Sequence, residues 1–365
     1  MSNNTQNFYV GTYSRDAGLV SGEHSSGIYY GQLDLDTGAL QVTAVTDSLD
    51  NPSFLALHPN GQFLYAVNEV DDFEGQSSGA VSAFAINPDD GGLTFINQRP
   101  TQGAHPCHLV VDQTGRFVMA ANYSGGSIVM YPLGEDGSLG EASDFVQHEG
   151  SSVNPNRQEA AHAHSFTLSG DNRFGIVADL GMDKVVVYEM DYDARKFKLQ
   201  EAASAKIYDG GGPRHFAFAP DNTHAYVINE LDATITVFDY DTATGTLTET
   251  QTLSTVPSDF TGPKSTADIH ISPSGKFVYG SNRGHDTIAM FAVDTATGQL
   301  TAIGHQSTLG KIPRNFALNP EGTFLLAANQ DSDNIVSFRL DPDEGTLTPT
   351  GHQVQVSRPV CIQFT

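Results

Sequence analysis

The sequence predicts an all-β protein, a seven-bladed β-propeller closed by one C-terminal strand and three N-terminal strands, and three observations carry that expectation. First, one pattern occurs seven times: a polar or Pro-containing lead-in, an apolar run, a small turn, and a second apolar run ending on Asn or an acid. Its copies begin at Asn51 (NPSFLALHPNGQFLYAVNE), His105 (HPCHLVVDQTGRFVMAANY), His162 (HAHSFTLSGDNRFGIVADL), Gly212, Ser265, Ile312 and Arg358. The anchors Pro52, Pro106, Ala163, Pro213, Thr266, Pro313 and Pro359 stand 54, 57, 50, 53, 47 and 46 residues apart. Second, the last copy, RPVCIQF, ends after a single strand, while NFYVGTY, GIYYGQLDL and LQVTAVTD at the other end read as the second, third and fourth strands of the same blade. Joining them leaves no free sheet edge. Third, a tight turn followed by Leu opens the outer strand of each blade: DTGAL at Leu40, GGL at Leu93, DGSL at Leu139, TGTL at Leu247, TGQL at Leu300 and EGTL at Leu347, with KFKL at Leu199 lacking the glycine.

Each part of the repeat has a local reason. The recurring prolines restrict φ where the chain enters the inner strand. Gly in the outer turns supplies positive φ and Asp caps the turn locally, which accounts for the Asp-rich copies without a bound ion. The repeated Asn68, Asn122, Asn229, Asn282 and Asn329 suit side-chain bonding to turn backbone at a strand end. A chain of 365 residues is long for one unit, but a propeller grows by repetition, so residues 1–365 are expected to form a single domain with 1–7 as a flexible tail.

Composition narrows the function. With 43 acids against 18 bases, the formal charge is −25, which argues against nucleic acid or an anionic membrane surface as a partner. No apolar run approaches the length of a membrane span, and MSNNTQN lacks the charge and apolar stretch of a signal peptide. Cys107 and Cys361 are too few for a disulfide framework, and a cytoplasmic location is expected. The oligomeric state stays open between monomer and homodimer.

An acidic chain makes its few cations informative. In a propeller blade the residues before the first strand and those after the second emerge on one face near the axis, whereas the turn between them, holding His58 or His224, lies on the other. Four of eleven Arg and five of thirteen His occupy those axial slots: Arg214, Arg283, Arg314 and Arg358, and His105, His108, His162, His164 and His215. Glu69, Asp179, Glu230 and Asp268 share the same face, so one reading is a structural ring of ion pairs. Four guanidiniums at one mouth exceed what holding blades together requires, and they favour a bound anion. His162 and His164, two apart in an extended segment, would point to one side, but no further cluster of ligands accompanies them and no metal is expected.

Several segments resemble a known family. AHAHSF (161–166), GPRHFAFAP (212–220), VINELDATITVF (227–238), DIHISPSGKFVYGSNRGHDTIAMF (268–291) and IPRNFALNPEGTFLLAANQDSDNIVSF (312–338) look like the seven-bladed propeller lactonases. That group includes the propeller-type 6-phosphogluconolactonases and the carboxy-muconate cyclases. The resemblance runs the whole length and implies an enzyme that opens, or in the reverse sense closes, a lactone of an anionic substrate without a metal. The leading expectation is a cofactor-free lactonase of a sugar lactone, 6-phosphogluconolactone or another anionic aldonolactone. In the cyclase branch a His, two Arg and a Glu make the site, and the matching positions are His164, Arg214, Glu230 and Arg283 as catalytic residues. Ala161 and Ala163 flank the histidines, and Asp268 stands where the family usually has Glu, departures that bear on substrate more than on reaction class.

Lactone hydrolysis needs a base for water, donors for the tetrahedral oxyanion and an acid for the ring oxygen. Glu230 or His164 can be the base, Arg214 and Arg283 the clamps, and His215 or His164 the acid. No GxSxG turn supports a serine nucleophile. Candidate substrate contacts are His105, His108, His162, Asp179, His215 and Asp268. His270, Asn282, His285, Arg314, Asn315 and Gln330 complete the set. The alternatives are a carboxy-cis,cis-muconate cyclase, which would share the site, and a non-catalytic binding propeller.

Overall fold

The computed structural model describes residues 4–15, 25–47 and 49–365, and among them every regular element is a strand. Seven antiparallel sheets follow one another around an axis. The first complete blade runs Leu55–Leu57, Phe63–Asn68, Ala80–Ile86 and Leu93–Pro100 from axis to rim. The blade that follows begins at the axis with Pro106–Val111, and the next four begin with Ala163–Leu168, Pro213–Phe218, Ser265–Ile271 and Pro313–Leu318.

The ring closes as the repeat requires. Pro359–Phe364 is the inner strand of a sheet whose other members are Thr5–Thr12, Ile28–Asp34 and Leu40–Thr46. Val10 pairs with Ile362 and Phe8 with Phe364, so the two ends are joined by a strand ladder. Of the expected tail 1–7, residues 1–3 lie outside the described residues and the rest is not a tail: Thr5, Gln6 and Asn7 pair with Asp34, Leu33 and Gln32. The backbone there completes a ladder with the next strand rather than leaving its donors unpaired.

The outer turns behave as their glycines suggest. Gly38, Gly91, Gly137, Gly245, Gly298 and Gly345 all have positive φ, and in KFKL that role falls to Arg195 at φ 58. Asp34 Oδ1 accepts hydrogen bonds from the Asp36 and Thr37 amides, so the acid is engaged by its own turn. One blade departs from the pattern. Leu139 makes only an isolated bridge with Leu133, and the outer strand there is Asp144–Gln147.

Aromatic and branched side chains from neighbouring blades fill the space between sheets. Phe174, Ile176, Val185, Val227 and Phe238 form one such cluster. Tyrosines cross the same seams: Tyr9, Tyr65, Tyr226 and Tyr279 donate to the carbonyls of Gly91, Gly137, Gly298 and Gly345 in the next blade. The strand-end asparagines are structural as well, with Asn122, Asn282 and Asn329 donating to the Thr101, Thr255 and Thr308 carbonyls.

Candidate active site

A bulge repeated from blade to blade builds the axial site. In four inner strands the register shifts after the first residue, between Pro106 and His108, Ala163 and Ser165, Pro213 and His215, and Pro313 and Asn315. The skipped residues are Cys107, His164, Arg214 and Arg314. A bulged residue has no cross-strand partner and is re-aimed away from the pleat. Here the four gather around the axis. The residue before each Pro carries the compensating bend: His105, Ile312 and Arg358 have φ of 52, 56 and 47. His105 is therefore a turn residue, its Nδ1 2.8 Å from Ser124 Oγ, and it does not line the axial cavity.

That cavity has a volume of about 240 Å³ and is lined by Tyr13, Glu69, Cys107, Tyr123, Arg157, His164, Glu230, Ser265, Arg283 and Arg314. Glu230 is its charged centre. Oε2 lies 3.0 Å from Arg214 Nε and 2.8 Å from an Arg283 terminal nitrogen, and Oε1 lies 2.5 Å from Arg157. His164 Nε2 is 3.9 Å from Oε2, and its Nδ1 is 3.5 Å from the Cys107 thiol. Burial would raise the Glu230 pKa, but Arg283, Arg214 and Arg157 outweigh it and hold the carboxyl well below its ordinary range. Burial, with the Arg214 charge beside it, pushes His164 well below the usual histidine value and keeps the ring neutral. Arg214 itself is lowered to about 10 by burial and by Arg314 and Arg283.

Arg314 differs from its neighbours. Its guanidinium lies 5.4 Å from the Tyr13 ring centroid, and it forms no ion pair among the described residues. Tyr13 in turn donates to both oxygens of Glu69 at 3.0 Å, and Ser53 Oγ donates to Oε2 at 2.5 Å.

A second polar layer lies behind the cavity. His215 bridges Arg214 at 2.9 Å and Asp268 at 2.7 Å, while His270 and Asn315 approach the other Asp268 oxygen at 2.9 and 2.6 Å. His108 packs against His215 with ring centroids 5.3 Å apart. Burial and the Arg214 charge lower His215 to about 4, and burial with His215 alongside also lowers His108.

The sequence candidates thus divide. His164, Glu230, Arg283 and Arg314 line the cavity, and Arg214 stands directly behind Glu230, also donating to the Ala267 carbonyl. His108, His215, Asp268, His270 and Asn315 form the second layer. His162 stacks on Tyr123 at 4.7 Å and backs that wall. Asp179 lies outside the cavity, fully buried, accepting the His162 and Met182 amides and His148. Asn282, His285 and Gln330 also face other partners: the Thr255 carbonyl, Thr287 and Asp331.

Tyr13, Glu69 and Tyr123 occupy the slots after the second strand, so their positions were readable although they were not among the candidates. Cys107 shares the slot of His164, Arg214 and Arg314, a signal that was available. Arg157 lies in the connection between Asp144–Gln147 and Ala163–Leu168, where no repeat position marks it. Its one signal is rarity, an Arg in a long polar loop of an acidic chain.

The family model described as Lactonase, 7-bladed beta-propeller, matches residues 7–364. The chain belongs to the seven-bladed β-propeller lactonase family. It is accordingly a lactone-opening carboxylic-ester hydrolase by family. A Bacillus subtilis protein named 6-phosphogluconolactonase is 36% identical over 308 residues, 84% of this chain and 83% of the relative. One of the same name from Formosa agariphila is 36% identical over 80% of this chain and 82% of its own length. Among solved structures, the Pseudomonas aeruginosa periplasmic gluconolactonase, PpgL, superposes with a TM-score of 0.90 at 34% identity, covering 99% of both chains. No helix among the described residues of this lactonase is long and apolar enough to cross a membrane.

Proposed function

We propose that this lactonase hydrolyses 6-phosphogluconolactone or another anionic aldonolactone, by water attack in the axial cavity. The observation that carries the reading is Arg314: a guanidinium lining the cavity of a strongly acidic protein, with no ion pair among the described residues. Its pKa is raised above the ordinary value, because Tyr13, Glu69 and Glu230 outweigh its burial, so its charge persists for a ligand. Around the cavity, Arg157, Arg214, Arg283 and Arg314 outnumber Glu69 and Glu230 by two charges. A phosphate or carboxylate fits that surplus, and guanidiniums grip either in a bidentate manner. The names of the Bacillus and Formosa relatives support the phosphorylated lactone.

Each group then has a place in the reaction. Arg314 takes the anionic substituent. Arg283 and Arg157 stand beside the carbonyl oxygen, where donors that are already oriented are worth most as charge develops. Glu230 positions those two guanidiniums, and Arg214 supports Glu230 from behind. The neutral His164 ring orients water without adding charge. A cytoplasmic location belongs to the same proposal, although the similar Pseudomonas protein is named periplasmic.

The test is a panel of lactones, 6-phosphogluconolactone and uncharged glucono-δ-lactone among them, assayed with and without chelator. Chelation should leave the rate unchanged. Arg314→Gln should raise KM about tenfold or more for the phosphorylated lactone, the loss of one charge-assisted contact, and leave the uncharged one nearly unaffected. Equal effects on both lactones would remove Arg314 as the anion receptor.

A further inference from the structure

The cavity holds two carboxylates in opposite settings. Both Glu230 oxygens contact guanidiniums, at 3.0 and 2.8 Å on Oε2 and 2.5 Å on Oε1. A proton arriving there would have to displace one of those contacts and would leave three guanidiniums repelling one another. Glu69 is equally buried, at 3% exposure, but among the described residues its carboxylate takes hydrogen bonds from hydroxyls alone: Tyr13 at 3.0 Å to both oxygens and Ser53 at 2.5 Å to Oε2. No ion pair of Glu69 occurs among the described residues.

We infer that Glu69 is a catalytic residue of the hydrolysis, taking a proton from the attacking water and returning it to the departing ring oxygen. This deepens the lactonase reading and rests on it. The water oxygen bonds to the lactone carbonyl carbon as its proton passes to Glu69, and the carbonyl π pair moves onto oxygen. When the tetrahedral oxyanion collapses, the bond from that carbon to the ring oxygen breaks. The ring oxygen receives the proton from Glu69, and the product is the hydroxy acid, which ionises to solvent.

The surroundings of Glu69 suit both halves of that cycle. Ser53 Oγ is a rotor: it donates to the carboxylate and, once Glu69 is protonated, turns to accept from it. Tyr13 stays a donor throughout, since burial raises its pKa and so keeps the phenol protonated. Among the described residues, the charged and titratable groups interacting with Glu69 are Tyr13 from the closing blade, Cys107 from the next inner strand and Arg314 beside Tyr13. Burial raises the Cys107 thiol far above its usual value, so it does not compete as a nucleophile. Arg314 acts on Glu69 only through its field, without occupying its oxygens.

The experiment uses a lactone that the wild-type protein turns over, with spontaneous hydrolysis subtracted. Glu69→Gln keeps the size of the side chain but cannot take a proton, and kcat should fall about 100-fold or more while KM stays within about threefold. Glu69→Ala should lose activity similarly and regain about tenfold or more on addition of formate, which reaches the vacated space and supplies a carboxylate. Melting temperatures are recorded for both variants, and folded protein with rescue by formate supports the inference. Near wild-type kcat in Glu69→Gln, or a folded Glu69→Ala variant that formate does not rescue, overturns it. A wild-type protein inactive on every lactone would instead bring down the lactonase reading and this inference together.

Discussion

Replacing Glu230 by Gln separates an anchor from a base. The change keeps shape but removes the charge that three guanidiniums share, and the cost depends on how buried each partner is. Arg214 and Arg283 side chains are 2% and 13% exposed, whereas Arg157 is 41% exposed and finds water readily. Taking one partner from a buried pair costs about 3–5 kcal/mol, and the two buried guanidiniums place this variant within that range. Unfolding entropy of about 2.1 cal/mol/K per residue gives roughly 0.8 kcal/mol/K for a chain of 365, so the melting temperature should drop by about 4–6 °C. Calorimetry measures that drop, and steady-state kinetics on the preferred lactone should show KM rising together with a fall in kcat, as Arg283 and Arg157 lose their support. A variant melting within about 1 °C of wild type, with kcat reduced and KM unchanged, would refute the anchoring role and make Glu230 the proton acceptor.

Deleting residues 358–365 removes the innermost strand of the closing blade and exposes the Thr5–Thr12 edge, so soluble folded protein should be lost; a truncated chain melting like the full one would contradict the closure. Acid should destabilise the fold before most carboxylates titrate. The folded pKa of His215 is depressed to about 4, so the unfolded chain binds the extra proton first, and stability complete above about 6.5 is lost as pH falls toward 4, on the order of 3 kcal/mol from this group alone. His108 and His164 act in the same direction, while at the more exposed His270 burial is outweighed by Asp268 and the effect is opposite. Differential scanning calorimetry from pH 7 to 4.5 checks this, and a flat melting temperature would refute the neutral-histidine layer.

The sequence by itself determined the blade count, the closure and the axial clustering of His164, Glu230, Arg283 and Arg314. Those follow from local rules, because apolar alternation, Pro before a strand and Gly in a turn act within a few residues, and seven copies repeat the same statement. His164, Arg214, Glu230, Arg283 and Arg314 were legible because each recurs at a fixed offset from its repeat. Only the tertiary structure decided which axial residues meet the cavity. The bulge after Pro106, Ala163, Pro213 and Pro313 separates cavity residues from their immediate neighbours, so His164 meets the cavity while His108 and His215 sit behind it. Asp179 and Asn282 stand one residue before the slot of Glu230 and Arg283, at the strand end, and spend their oxygens and amides on strand-end backbone. Arg157 reaches Glu230 across 73 residues from a loop outside the repeat. Glu69 and Glu230 are the same residue type at the same offset, and the guanidiniums that distinguish them come from Arg214 in Glu230's own blade, Arg283 in the next blade and Arg157 in a loop outside the repeat. Charge environment is a sum over neighbours in space, and a repeat fixes only neighbours in sequence.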